Sequence, residues 1–240
     1  MKISNATLAI LKNYASINSN ILIREGNVLA TVSAGKNILS RATVFETFPK
    51  EFAIYDLNSF LATLSLMDDQ DVDFGDSSLT IKKDSAQFEY FYADPSVVVA
   101  APDKTLEIDP FYSFELTSND LNMIMRSAGI VEAPTLSIVA LNQVVTMTVG
   151  DPGNSKSNSY KKNISAKAPV SATKPASKKE YAYSSQDIPD FICRLKIENI
   201  KVIPDTYQVS LGKKKAIHLN NGTKKIDYWL AMEPSSIVPA

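Results

Sequence analysis

The chain has 240 residues, 45% of them hydrophobic, and its 25 basic and 26 acidic residues leave a net charge of −1. This length fits two domains or one large one, and the balanced charge argues against a protein that grips nucleic acid by charge alone. A single cysteine, Cys193, and a single histidine, His218, exclude a disulfide framework and a Cys/His zinc site within one chain, and they indicate a reducing, intracellular location.

Helical spacing of apolar residues predicts four helices. The first covers about residues 4–17 and the second, in the stretch AIYDLNSFLATLSLM, residues 56–66. The third covers about residues 117–129, and Gly129 is placed to end it. The fourth lies in FICRLKIENIKVIP and ends at Pro204, although the first residues of this stretch also alternate as a strand does.

Between these helices the pattern changes to a period of two, which predicts strands. NILIREGNVLATVS is expected to form a hairpin around Glu25-Gly26-Asn27, and SLTIKKDSAQFEYFYA a second hairpin. TLSIVALNQVVTMTVG is expected to be strand, Asn-centred turn, strand, and TYQVSLGKKKAIHL and KKIDYWLAME close the chain in the same style. The order of helix, strands, helix, strands therefore occurs twice, which indicates an architectural repeat.

Two segments depart from this pattern. Residues 93–111, ADPSVVVAAPDKTLEIDPF, contain three prolines and are predicted to be an extended connector between a first domain, residues 1–92, and a second, residues 112–240. Residues 151–185 are rich in Ser, Lys, Ala and Pro. Within them a short edge strand is expected at 160–166 and a mobile loop at 167–179, because the loop offers almost nothing to bury.

Patterns typical of catalysis are weak throughout the chain. His218 is expected at the surface and Cys193 as a buried structural thiol. The acidic stretch Asp68–Asp76 is a poor calcium loop, because Phe74 stands where glycine is needed and Thr80 where glutamate is needed. No Gly-rich phosphate loop is found, and neither a cofactor nor a metal is expected. No membrane span or signal peptide is found either.

The predicted helix faces opposite the apolar arcs share a composition. They carry Asn, Ser, Thr and Ala with Lys12, Arg126, Arg194 and Lys201, and their acidic residues lie mostly at helix starts, with Glu198 as an exception. For each helix singly, a chance arrangement of surface residues is an equally good explanation. Because four faces share the pattern, it also indicates one environment that excludes carboxylates, such as a passing phosphate backbone.

Three ordered segments, MKISNATLAILKNYASINSNILI, AIYDLNSFLATLSLM and ADPSVVVAAP, resemble the DNA polymerase sliding clamps of T-even-type bacteriophages. TSNDLNMIMRSAGI and FICRLKIENIKVIPDTYQVSL fit the same family with weaker identity, whereas residues 151–185 depart from its usual loop. The resemblance implies the α+β DNA clamp fold. Two similar clamp-type domains would each have antiparallel sheets outside and two helices on the inner face.

This resemblance also implies a function. Such clamps are processivity factors without enzymatic activity: homotrimeric rings that encircle duplex DNA without sequence specificity and tether the replicative DNA polymerase. An ATP-driven clamp loader places them on DNA, and the location implied is the cytoplasm of the infected bacterial host. A clamp must hold DNA without sticking to it, so a sparse basic lining of small polar residues fits its task.

Site residues follow from the same resemblance. The expected DNA-facing residues are Lys2, Lys12, Arg126, Arg194 and Lys201. The expected partner-peptide pocket beside the connector contains Val97, Val98, Val99 and Pro102, with the tail from Glu233 as a further candidate. Simple packing of the connector explains each of these Val residues equally well. Two other functions stay open: a structural protein of the phage particle, and a hydrolase that uses the Asp68–Asp76 carboxylates.

Overall fold

A computed structural model describes residues 1–66, 71–154, 156–164 and 188–239. The chain folds into two compact units, neither of which is a single continuous stretch. The first unit comprises Met1–Thr105, Lys201–Ile203 and Gly222–Tyr228, and the second comprises Leu106–Ile200, Pro204–Asn221 and Trp229–Ala240. The boundaries predicted from the sequence at 92 and 112 stay a prediction, and the loop expected at 167–179 lies outside the described residues.

The first unit contains two helices and several short antiparallel pairings. Its elements are α1 (Asn5–Ile17), β1 (Ile21–Ile23), β2 (Gly26–Val32), β3 (Ile38–Phe48), β4 (Phe52–Ile54), α2 (Leu57–Ser65), β5 (Asp71–Phe74), β6 (Ser78–Lys83) and β7 (Ala86–Phe91). Strand β1 pairs with β4, β2 pairs with β3, and β5, β6 and β7 form a three-stranded sheet in that order. A 3-10 turn at Pro95–Val97 follows.

The second unit contains one helix in its described residues. Its elements are β8 (Pro110–Leu116), α3 (Ser118–Ile130), β9 (Thr135–Leu141), β10 (Val144–Gly150), β11 (Tyr160–Ile164), β12 (Phe191–Lys196), β13 (Tyr207–Gly212), β14 (Ala216–Asn221) and β15 (Ile226–Ala231). One sheet has the order β11-β10-β9-β12, and β8, β13, β14 and β15 are successive neighbours in another. Strand β15 begins with residues of the first unit, where it lies beside β3.

Side-chain caps fix the beginnings of all three helices where the sequence predicts them. Ser4, Asp56 and Thr117 are the N-caps of α1, α2 and α3, and each side chain accepts a hydrogen bond from a backbone N–H of the first turn. Each helix buries residues three or four positions apart, such as Leu57, Phe60, Leu61 and Leu64 in α2. The first three predicted helices are therefore confirmed, but Gly129 does not end α3, which continues to Ile130.

The fourth predicted helix is wrong. Residues Phe191–Lys196 form strand β12, which pairs with β9 and buries Phe191, Cys193 and Leu195, while the residues between them are half-buried. Only a 3-10 turn, Ile197–Asn199, follows it. The apolar residues of this stretch fit the helical period as well as the strand period of two. Pairing with β9 favours the strand, because it satisfies the backbone hydrogen-bonding groups of both strands.

The predicted hairpins have mixed outcomes. The pairs β6–β7, β9–β10 and β13–β14 are confirmed, and Asn142 and Gln143 turn the second of them with positive φ angles of 49° and 67°. The hairpin around Glu25-Gly26-Asn27 is wrong, because β1 pairs with β4 and β2 pairs with β3. Gly26 has a φ of 109°, a conformation that lets the chain change direction between two pairings.

A buried carboxylate holds the beginning of α1. Glu46 on β3 is 9% exposed and accepts hydrogen bonds from the Ser4 backbone N–H and the Thr7 hydroxyl. Burial alone would raise the pKa of Glu46, but the hydrogen bonds from Thr7 and Ser4 outweigh it and lower that pKa. The ionised side chain therefore stabilises the folded state.

Replacing Glu46 with Gln tests this contact. We expect Glu46→Gln to lower the free energy of unfolding by about 1.5–3 kcal/mol at pH 7, the range for hydrogen bonds to a charged group. Because the pKa of Glu46 is lower in the folded than in the unfolded state, its stabilisation is present above about pH 4.3 and is lost as the pH falls through the folded-state pKa. Urea unfolding at several pH values should show the difference vanishing in acid. Glu25→Gln, at an exposed turn, is the control and should change the free energy of unfolding at pH 7 much less.

Candidate nucleic-acid interface

The exposed faces of α1 and α2 in the first unit are almost uncharged. Their exposed residues are Asn5, Ala6, Ala9, Lys12 and Ser16 on α1, and Asn58, Ser59, Ala62 and Ser65 on α2. Lys12 is the one charged side chain in this set. Neither helix has an acidic residue in its first turn, and the Asp56 carboxylate accepts a hydrogen bond from the Ser59 N–H as the α2 cap. These faces carry no carboxylate that would repel a polyanion.

Hydroxyl groups of α1 and α2 bond to the helix that carries them. The Ser16 hydroxyl donates to the Asn13 carbonyl at 2.6 Å, Thr63 to the Ser59 carbonyl at 2.9 Å, and Ser65 to the Leu61 carbonyl at 2.8 Å. Because these donors are already satisfied, they offer little direct hydrogen bonding to a passing phosphate. Of these three residues, Ser16 and Ser65 are exposed, so their hydroxyl donors are already used where they face outward.

Helix α3 of the second unit has a similar exposed face. Its exposed residues are Asn119, Asn122, Met123, Met125, Arg126, Gly129 and Ile130, of which Arg126 alone is charged. The acidic residue in its first turn, Asp120, is half-buried and in contact with the Lys162 ammonium group. Burial would raise the pKa of Asp120, but hydrogen bonds from Lys162 and Thr117 outweigh it and lower that pKa. Its negative charge is thus neutralised by a neighbour.

The predicted DNA-facing residues fall into two groups. Lys2, Lys12 and Arg126 are exposed, the latter two on helices as predicted. Placing Arg194 and Lys201 on a helix was wrong, because Arg194 lies on β12 and Lys201 follows the 3-10 turn. Whether any of the five faces DNA stays a prediction.

Arg194 and Lys201, which do not lie on a helix, each have a hydrogen-bond partner within their own unit. The Arg194 guanidinium donates to the Ser235 carbonyl at 2.8 Å, and its Nε is buried without a hydrogen bond among the described residues. The Lys201 ammonium donates to the Ser16 carbonyl at 2.6 Å. Sequence periodicity could not find either contact, since each joins residues far apart in the chain.

The predicted partner pocket lies on a well-anchored stretch of the first unit. The Val99 N–H donates to the Asn20 side chain at 2.9 Å, Arg24 donates to the Ala101 carbonyl at 3.0 Å, and the buried Ala101 packs with Ala30 and Val32. Within the predicted set, Val97, Val99 and Pro102 are exposed and Val98 is half-buried. The backbone is thus fixed while apolar side chains face outward.

Met1 and Ile237 each cover a sheet edge while other edges are open, a feature that sequence analysis missed. The N-terminal Met1 exchanges hydrogen bonds with Val72 on β5. In the second unit, Ile237 of the C-terminal tail exchanges hydrogen bonds with Ile192 on β12. Within the described residues, β7 pairs only with β6 and β11 only with β10. Strands β7 and β11 therefore each leave one side open, as do β2 and β8, and Phe91 of β7 is 64% exposed.

The sequence features that could belong to an enzyme site are Cys193 and the acidic stretch Asp68–Asp76. No group of three or more His, Cys, Asp or Glu side chains among them is placed to bind a metal ion. Cys193 is buried, and desolvation raises its pKa to about 12, so it is a protonated thiol at neutral pH. In the acidic stretch, Asp73 is paired with Lys82 at 2.7 Å, while residues 68–70 lie outside the described residues. None of the described helices has the length and apolar character needed to cross a membrane.

Residues 2–100 match the family model for DNA polymerase processivity factor. The sliding clamp of Escherichia phage RB69 is 28% identical over 98% of each chain. The sliding clamp of Vibrio phage KVP40 is 27% identical over 68% of this chain and 77% of its own length. That of Enterobacteria phage T4 is 33% identical over 58% of this chain and 61% of its own length.

Solved clamp structures share the fold at low sequence identity. The proliferating cellular nuclear antigen of Entamoeba histolytica superposes with a TM-score of 0.65 at 13% identity, covering 97% of both chains. A DNA polymerase sliding clamp from Pseudomonas aeruginosa gives 0.62 at 12% identity, covering all of this chain and 65% of its own. The α+β DNA clamp fold is therefore confirmed, with one helix fewer than predicted. The family model over residues 2–100 and the three phage relatives together confirm the similarity to the sliding clamps of T-even-type phages.

Proposed function

We propose that this chain is a sliding clamp that encircles duplex DNA and tethers the replicative DNA polymerase for processive synthesis. The observation that carries the proposal is the composition of the exposed faces of α1, α2 and α3, which present Lys12 and Arg126 and no unpaired carboxylate beyond the capping Asp56. Similarity to the RB69 sliding clamp over 98% of both chains supports it.

The sparse charge on these faces suits a surface that slides. Each cation that contacts a phosphate makes affinity depend on salt, with a slope of about −0.9 per contact on duplex DNA. Many tight contacts would slow movement along DNA, whereas a closed ring is retained by topology and needs few. Lys2, Lys12 and Arg126 are exposed and supply the weak attraction that this mechanism needs. Arg194 and Lys201 were predicted for the same role, but each donates a hydrogen bond to a backbone carbonyl of the chain itself.

Ring closure would use two of the open sheet edges, those of β7 and β11. Unpaired strands are ready templates for pairing with another chain, and β7 and β11 are different surfaces of one chain. Pairing β7 of one copy with β11 of the next gives a heterologous contact, which closes into a ring at a suitable rotation. We propose a homotrimer joined in this way.

Partners of the ring follow from the same proposal. In this proposal the chain has no enzymatic activity, so it cannot use ATP to open its own ring. An ATP-driven clamp loader opens the ring and places it on DNA. This takes place in the cytoplasm of the infected host. Val97, Val98, Val99 and Pro102 would receive an apolar peptide of the polymerase beside the anchored connector. An aliphatic or aromatic anchor would supply most of the affinity at such a site.

Topological retention gives the most direct test of the proposed function. Protein loaded onto nicked circular DNA by a clamp loader with ATP should remain bound through gel filtration at high salt. It should dissociate once the circle is cut with a restriction enzyme, because a closed ring slides off a free end. Equal retention on circular and linear DNA contradicts encirclement.

Charge reversal tests the inner-face assignment. Lys12→Glu and Arg126→Glu should each impair loading or sliding on DNA, because a carboxylate there repels the phosphate backbone. Lys214→Glu, at an exposed hairpin tip between β13 and β14, is the matched control and should have a smaller effect. Single-molecule diffusion of labelled clamps on stretched DNA measures this, and equal effects of all three variants refute the assignment.

An aspartate at the open edge of β7 tests the ring interface. Phe91→Asp should reduce the trimer fraction, because it places a charge at the edge proposed to pair with a neighbouring copy. Phe45→Asp is the control: Phe45 is 91% exposed but lies on β3, which has β2 and β15 on its two sides. Native mass spectrometry over a concentration series measures the trimer fraction. If both variants assemble like the unmodified protein, β7 is not the interface.

A further inference from the structure

The end of α1 lacks a charge of its own to balance the helix dipole. The last carbonyl groups of a helix have no partners within it and carry a partial negative charge. α1 has no basic residue in its last turn, and its C-cap Asn18 donates its N–H to the Tyr14 carbonyl. Ser16 lies in this last turn, and its carbonyl would otherwise be directed into solvent.

Lys201 supplies the missing positive charge from 185 residues further along the chain. Its ammonium group donates to the Ser16 carbonyl at 2.6 Å, and its own backbone carbonyl accepts from the Asn13 side-chain amide at 3.1 Å. Two separate groups of one residue thus hold the last turn of α1. The Lys201 side chain is exposed, so water competes with the Ser16 carbonyl for its ammonium group.

A buried tyrosine fixes the segment that carries Lys201. The Tyr228 hydroxyl donates to the Asn13 side-chain oxygen at 2.7 Å and accepts from the Ile203 N–H at 3.3 Å. Asn13 therefore uses both ends of its amide, one toward Tyr228 and one toward Lys201. This explains why Lys201–Ile203 and Gly222–Tyr228 belong to the first unit although they lie in the second half of the sequence.

We propose that Lys201 is a positioning residue for α1 and not a ligand of DNA. The proposal rests on the proposed sliding-clamp function, in which Lys12 on α1 faces the polyanion. Lys12 and Ser16 are four residues apart and lie on the same side of the helix. By covering the Ser16 carbonyl, Lys201 removes a negative helix end from the surface next to Lys12 and keeps the last turn closed.

Direct phosphate binding by Lys201 predicts a different behaviour. A lost phosphate contact reduces the salt slope of DNA affinity by about 0.9, whatever happens to the helix. A lost helix contact opens the last turn more often in the protein without DNA, and it leaves the number of phosphate contacts unchanged. The two roles are therefore separated by two measurements on the same variants.

The test uses Lys201→Met and Lys201→Gln, which remove the charge, and Lys201→Arg, which keeps it. Hydrogen exchange of the Ser16, Ile17 and Asn18 amides in the DNA-free protein should be about two- to fivefold faster in the first two variants, the range expected from charge–dipole contacts. Lys201→Arg should restore the original rate. Lys214→Met, at an exposed hairpin tip, is the matched control and should exchange at this site as the unmodified protein does.

The second measurement is the binding of each variant to a short linear duplex over a salt series. We expect the salt slope to be unchanged for Lys201→Met and reduced for Lys12→Met. A reduced slope for Lys201→Met, or unchanged hydrogen exchange at α1, overturns the proposal. If Lys12→Met leaves the slope unchanged, the DNA-facing role of α1 fails instead, while the exchange rates still decide whether Lys201 holds the helix.

Discussion

In the proposed clamp, the exposed helix faces answer one constraint: a polyanion must be attracted weakly and never held. Hydrogen bonds within the chain contribute more to this than the placement of charges, because they use up side-chain groups that could bind a phosphate. Hydroxyls at Ser16, Thr63 and Ser65 donate to their own helices, and Asp120 is neutralised by Lys162. What remains outward on α1 and α2 is small and polar apart from Lys12, whereas α3 adds Arg126 and exposed apolar side chains such as Ile130.

Local physics makes the three helices predictable from sequence. Ser4, Asp56 and Thr117 each satisfy backbone donors within a few residues, and the buried positions repeat at the helical period. Hairpins with short turns are predictable for the same reason, as Asn142 shows by adopting the positive φ that its turn requires. The carboxylate-free faces could also be predicted, because they follow from periodicity once a helix is known.

Contacts between distant residues account for what sequence analysis could not find. The stretch that begins at Phe191 fits both periods, and only the presence of β9 beside it decides for a strand. Lys201 looks like a helix-surface cation, yet its partner Ser16 is in the other half of the chain. Open edges are equally invisible, since a strand pattern does not reveal how many neighbours the strand will have. The covering of β5 by Met1 and of β12 by Ile237 emerges only from the fold.

The difference between the open edges β7 and β11 has a consequence for direction. Subunits joined through unlike edges all point the same way around a closed assembly. Such an assembly has two chemically distinct sides, and every copy presents its connector valines toward the same one. A protein that docks there would be oriented relative to the strand polarity of the enclosed duplex, so threading in one sense and the reverse would not be equivalent. The direction of DNA synthesis would then correspond to the side of the ring on which the polymerase is held.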